Sequence, residues 1–104
     1  MHLMSASGLE KWNALSDADI AAQVVMGRTE LFEVLMRRHY ARVYRTVRAI
    51  TGEDSNIEAL LEQAFVDAYA NLQQFDRTAT FALWLTRIAV KAAAHPMPAR
   101  AARN

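Results

Sequence analysis

Over residues 1–14 the apolar positions keep no steady period, and this stretch reads as a loose lead-in from which Trp12 is expected to dock on the body. Periodicity begins where Ser16 is followed three residues later by Asp19, a capping-box-like start in which a hydroxyl and a carboxylate satisfy the first free amides of a helix. A first helix is predicted from about 17 to 26, stopped by Gly27. Thr29 is expected to cap the second. There Phe32, Leu35, Met36, Tyr40, Val43, Val47 and Ile50 recur at helical spacing up to Gly52. Arg38, Arg42 and Arg45 fall on its other face, with Arg37 and Arg48 nearby.

Ser55 and Glu58 repeat the capping pattern and open a third helix, from about 56 to 74, with Leu61, Phe65, Ala68 and Leu72 on one stripe. Asp54, Glu58 and Glu62 share another of its faces, at steps of four. A short loop over residues 75–80 follows, and its last residue, Thr80, can cap a fourth helix beginning at Phe81. That helix should end before Pro96, because proline disfavours helical geometry in the residue before it. No strand pattern, internal repeat or glycine-rich phosphate loop interrupts this order. The expectation is a compact all-α domain of four helices over 15–95, with a flexible tail over 96–104.

Composition agrees with one folded domain: 104 residues, 53% hydrophobic and 22% charged. Without cysteine there is no disulfide framework or thiolate metal site. No apolar run approaches the roughly 20 residues of a membrane span, and no signal core follows a basic N-terminus, so a cytoplasmic protein without membrane contact is expected. The formal charge of +1 is less informative than its distribution. From Arg77 onward come Arg77, Arg87, Lys91, Arg100 and Arg103 with no acid, whereas Asp54, Glu58, Glu62 and Asp67 make the preceding stretch acidic. Two different surfaces follow from this.

Catalytic chemistry has no residues to stand on. His2, His39 and His95 lie far apart and outside any H-E-x-x-H spacing, so neither a metal nor a cofactor is expected, and the protein is not expected to be an enzyme. His39, alone within a helix, reads as a surface or half-buried packing residue. Phe81, Trp84 and Ile88 read first as core; a functional reading sets the loop before them, with its Arg and Thr side chains, against unstacked bases. Both hold if Trp84 anchors the helix that presents the loop. The arginines of the second helix suit phosphate, yet such a stripe is also what a solvated or ion-paired face produces.

The order of the pieces "LSDADIAAQVVMGRTELFEVLMRRHYARVYRTVRAITG", "EALLEQAFVDAYANLQQFD" and "FALWLTRIA" resembles the region 2 domain of RNA polymerase sigma factors, in particular the extracytoplasmic-function (ECF) group, over about residues 15–91. The resemblance implies a helical domain that docks through its third helix on the clamp helices of the polymerase's largest subunit, and that recognises and helps open the promoter minus-ten element. By position it assigns Glu58, Glu62 and Gln63 to the polymerase-facing surface and Phe65 to the core beneath. It assigns Asp76, Arg77, Thr78, Thr80, Phe81, Arg87 and Lys91 to the DNA-facing side, where extruded bases would be read and cations would attract phosphate. Trp84 matches the family's tryptophan.

The departures are as specific. Where the family commonly reads Glu-Asp, two positions, then Gln-Glu, this chain has Glu58-Ala59, Leu60-Leu61, then Glu62-Gln63, so one acidic docking residue is replaced and the Gln and Glu are exchanged. Lys91 stands where the family usually has asparagine, and "AAAHPMPAR" follows. No region 4, the helix-turn-helix that reads the minus-thirty-five element, is expected. The leading expectation is a region 2 module of transcription initiation. Its alternatives are an orphan region 2 or sigma mimic that binds an anti-sigma factor or another regulator without directing initiation, and a plain helical scaffold.

Overall fold

The computed structural model describes residues 12–52 and 56–95. The expected tail, most of the lead-in, Asp54 and Ser55 lie outside the described residues. Among the described residues there are four α-helices: α1 (Asp17–Val25), α2 (Phe32–Thr51), α3 (Ile57–Ala70) and α4 (Phe81–Ala94). Short 3-10 turns at Thr29–Leu31 and Leu72–Gln74 precede α2 and follow α3. The all-α expectation holds; several boundaries move.

Caps explain where the helices begin and end. The Asp19 amide donates to Ser16 Oγ at 3.1 Å, and the Leu83 amide to Thr80 Oγ1 at 3.1 Å, as the sequence suggests; the Asp19 carboxylate does not complete the expected capping box and pairs instead with Arg77. Helix α1 ends at Val25, one residue early, in a Schellman arrangement: the Gly27 and Arg28 amides return to the Val24 and Gln23 carbonyls, each at 3.0 Å. Gly27 adopts φ +117°, open to glycine without strain.

Thr29 caps nothing with its side chain, contrary to expectation. The 3-10 turn it begins runs directly into α2, so the chain there is already hydrogen-bonded, with the Leu31 amide on the Arg28 carbonyl at 3.1 Å. At the start of α3 it is Asn56 that caps, accepting from the Ala59 amide at 3.4 Å. The third helix stops at Ala70 instead of running to 74: Asn71 is its C-cap, its amide and side-chain nitrogen both donating to the Asp67 carbonyl, at 3.1 and 2.8 Å, and the chain tightens into the 3-10 turn.

Helix α2 is the hub, packing against α1, α3 and α4. Leu31, Leu35, Val43 and Val47 meet Ile20, Leu61, Phe65 and Leu85 in one core, while Ala64, Ala68, Ala89 and Ala92 let the helices approach closely. The apolar stripe read along the second helix is broader than this core. Met36, Tyr40 and Ile50 are 36%, 49% and 42% exposed, and the first two face a groove described below.

Polar groups fasten α1 to α2. Asp17 Oδ1 accepts from Arg38 Nη1 at 2.9 Å, and its Oδ2 pairs with His39 Nε2 at 2.8 Å. Arg38 Nη2 also donates to the carbonyls of Trp12 and Asn13, tying down the segment before α1; Trp12 packs against the core under the Arg28 guanidinium, as the sequence suggested. His39 is thus more than a packing residue: it is 7% exposed and hydrogen-bonded. An ionised carboxylate only accepts, so Nε2 carries a ring proton, while the buried Nδ1 has no hydrogen-bond partner.

Asp17→Ala would leave Arg38 and His39 half-compensated inside the domain. It is expected to cost about 2 kcal/mol, or about 10 °C in Tm, by thermal or urea unfolding. Glu33→Ala, which removes the exposed partner of Arg37, should cost no more than about 0.5 kcal/mol in the same assay.

Candidate nucleic-acid interface and docking groove

The loop between the two halves of the fold is built on a buried aromatic base. Phe75 meets Phe81 edge-on at 5.4 Å and Trp84 at 5.5 Å, and Phe81 and Trp84 lie 5.6 Å apart. The His39 ring covers Phe81 from α2 at 5.4 Å. Phe81 is only 3% exposed, so its assignment to the DNA-facing side is corrected: the ring belongs to the base under the loop. Trp84 is half-buried, anchoring α4 while leaving part of its indole at the surface.

Above this base the loop is polar and exposed at Asp76, Arg77, Thr78 and Thr80. Asp76 Oδ1 accepts from the Thr78 amide at 3.0 Å and the Thr78 hydroxyl at 2.7 Å, closing an Asx turn. Those bonds, the backbone one first, hold its carboxyl below the ordinary 3.8. Inside the turn Arg77 takes φ +69°, a left-handed conformation costing a residue with a Cβ about 1 kcal/mol. Its Nη2 reaches Asp19 Oδ1 on α1 at 3.2 Å. The Thr80 hydroxyl is engaged as the cap of α4.

Two sides of α3 differ in chemistry. Toward α4, a groove of about 530 Å³ carries Asp67, Asn71, Gln74, Trp84, Lys91 and His95. Arg87 and Lys91 are both exposed, one turn apart on α4. Gln63 lies in this groove, 8% exposed, with Nε2 donating to Asp67 Oδ1 at 2.6 Å. Its expected place beside Glu58 and Glu62 is therefore corrected. One residue is about 100° around a helix, enough to turn Gln63 inward while Glu62 stays out.

Toward α2, an open groove of about 460 Å³ is almost wholly apolar, formed by Phe32, Met36, Tyr40, Leu61, Val66 and Tyr69, with Glu58 and Glu62 also lining it. Phe65 lies beneath, its ring parallel to Tyr40 at 6.5 Å, and Tyr69 meets Phe32 edge-on at 5.2 Å. Sequence reasoning found the acids and missed their apolar neighbours. The signal was available: Val66 and Tyr69 continue the Glu58 and Glu62 face at steps of four and three.

Two of the α2 arginines are ion-paired, Arg37 with Glu33 of the same helix and Arg38 with Asp17 of α1. Among the described residues no group of three or more His, Cys, Asp or Glu could hold a metal ion, and no helix is long and apolar enough to cross a membrane.

The Asx turn should respond to acid. With the folded carboxyl lowered, its bonds to Thr78 are present above 3.8 and are lost as pH falls through the folded value. The Thr78 amide resonance is expected to titrate with a midpoint below 3.8, and Asp76→Ala should abolish that titration.

Known proteins place this geometry. Residues 35–96 match the family described as Sigma-70 region 2. The ECF RNA polymerase sigma factor SigW of Bacillus subtilis (strain 168) is 30% identical over 67 residues, 64% of this chain and 36% of that protein. The RNA polymerase sigma factor CnrH of Cupriavidus metallidurans is 31% identical over 74 residues, 69% of this chain and 39% of that protein. The chain thus spans well under half the length of these relatives. An NMR structure of an engineered region 2 of sigmaE in complex with GTAAAA is similar with a TM-score of 0.73 at 29% identity, over 86% of this chain and 94% of that one.

Proposed function

This chain belongs to the Sigma-70 region 2 family, and from that membership we propose that it works in transcription initiation, docking on RNA polymerase core through α3 and reading the promoter minus-ten element with the loop before α4. The observation that carries the proposal is the separation of two unlike surfaces: the apolar groove flanked by Glu58 and Glu62 on the α2 side of α3, and the exposed polar loop over 76–80 with Arg87 and Lys91 of α4. No catalytic step is involved, and a partner of this kind places the protein in the cytoplasm.

The apolar groove between α2 and α3 suits an amphipathic helix, and Glu58 and Glu62 beside it suit a helix with basic residues. The clamp helices of the largest subunit are the partner that the family relationship favours. Gln63 faces the groove toward α4, bonded to Asp67, and is not part of this surface. On the other side, Asp76, Arg77, Thr78 and Thr80 stand exposed on a fixed aromatic base. Arg87 and Lys91 add positive charge for the phosphates of the same strand. Binding of GTAAAA by the similar region 2 of sigmaE supports this assignment.

A second reading has one observation behind it: Ala59 stands where the family commonly has an acid. A surface short of one docking charge suits an anti-sigma factor or another regulator that fills the apolar groove without recruiting polymerase.

Pull-down on polymerase core and on isolated clamp helices separates the two. Wild type should bind both, and the Glu58→Lys, Glu62→Lys pair should lose about tenfold or more in affinity. Failure of a folded wild-type chain to bind either would shift the assignment to the regulator. For DNA, Arg87→Ala and Lys91→Ala should each weaken binding to single-stranded minus-ten oligonucleotides and flatten the slope of log K against log salt by about 0.7.

A further inference from the structure

Arg77 is exposed, sits at the tip of the candidate DNA-reading loop, and is already engaged. Its Nη2 donates to Asp19 Oδ1 at 3.2 Å across 58 residues of sequence, the contact joining the loop to α1. Both side chains are more than half exposed, 57% and 53%. The bond is long, uses one of the five donors of the guanidinium, and is open to water, so it is of the weak kind that a competing anion can replace. The backbone that carries the carboxylate is nonetheless fixed. Asp19 lies in the first turn of α1, where the helix dipole favours an anion, and its own amide is fixed by Ser16.

We propose that Asp19 is an intramolecular counter-ion for Arg77, a latch that neutralises the loop's cation until a nucleic-acid phosphate displaces it. The inference rests on the DNA-facing reading of the loop given above. Asp19 would set the strength of binding without touching the strand. With the latch closed, Arg77 contributes little to indiscriminate attraction of polyanions. Only a strand seated on the loop, with a phosphate near Arg77, recovers that charge. Arg77 is also where the Asx turn imposes a left-handed backbone, so its side chain leaves the loop in a direction set by the Asp76–Thr78 bonds and not by free rotation of the chain.

The test is a double-mutant cycle read by fluorescence anisotropy with a labelled single-stranded GTAAAA oligonucleotide at low salt, using the whole chain and checking each variant's fold by its melting curve. Asp19→Asn is expected to tighten binding about two- to fivefold and to steepen the salt slope by about 0.7. Arg77→Ala should weaken binding, and in its background Asp19→Asn should have no further effect. Asp19→Ser serves as a second neutral variant if the asparagine perturbs α1. Tightening that persists undiminished in the Arg77→Ala background would mean that Asp19 acts only through the general field, and weakening or no change in Asp19→Asn would mean that it orients Arg77 or does nothing; each overturns the latch. If wild type does not bind the oligonucleotide at all, the DNA-facing reading falls and the latch with it, an outcome distinct from the others.

Discussion

The carboxylate of Asp17 is the joint on which the arrangement of this domain depends. Its two oxygens take Arg38 and His39, consecutive residues of α2 whose side chains leave the helix about 100° apart. A single acid thereby grips α2 across more than a quarter of its circumference and fixes how α1 lies on it. His39 passes the constraint on, because the ring that pairs with Asp17 also covers Phe81 at the start of α4. Phe81 in turn contacts Phe75 at the other end of the loop. Fixing α1 on α2 therefore fixes both ends of the loop, and only residues 76–80 between them are left to solvent. Exposed groups on a rigid base lose less conformational freedom when a ligand arrives than the same groups on a free segment.

Charge is partitioned in the same way. A net charge of +1 gives no general attraction for nucleic acid, so any preference comes from placement. Arg77, Arg87 and Lys91 lie on the loop and on α4, while Glu58 and Glu62 flank the apolar groove on the far side of α3. The same helix thus borders two grooves, and Ala64 and Ala68, both fully buried, let it sit close against its neighbours while its flanks stay open.

Much of this was legible in the sequence because it is local. The caps at Ser16 and Thr80, the terminator Gly27 and the stop before Pro96 act within four residues and were read from residue type alone. The loop and the acids of α3 were legible too, the latter from period. What escaped needed three dimensions. Asp17 and His39 are 22 residues apart and Asp19 and Arg77 are 58 apart, and no helical period connects such pairs. Spacing read Phe81 first as core, and it was the positional carry-over from the family that put it on the DNA-facing side; at a helix start an aromatic suits burial and stacking on a base equally well. Tertiary neighbours decide between them, and here His39 and Phe75 do.

The exchange of Gln and Glu relative to the family order acquires a physical reason once Gln63 is seen to be buried. At 8% exposure and 2.6 Å from Asp67, position 63 faces a carboxylate inside a half-enclosed groove. A glutamate there would set two carboxylates against each other, and one would have to take up a proton or turn out into water. An amide instead donates to Asp67 and satisfies both groups. The charge given up at position 63 reappears at position 62, one residue away, where α3 is exposed beside the apolar groove. The acid thus moves from a position where Asp67 makes it costly to one where it can meet a partner, so the substitution pair keeps the charge of α3 while changing the face that displays it.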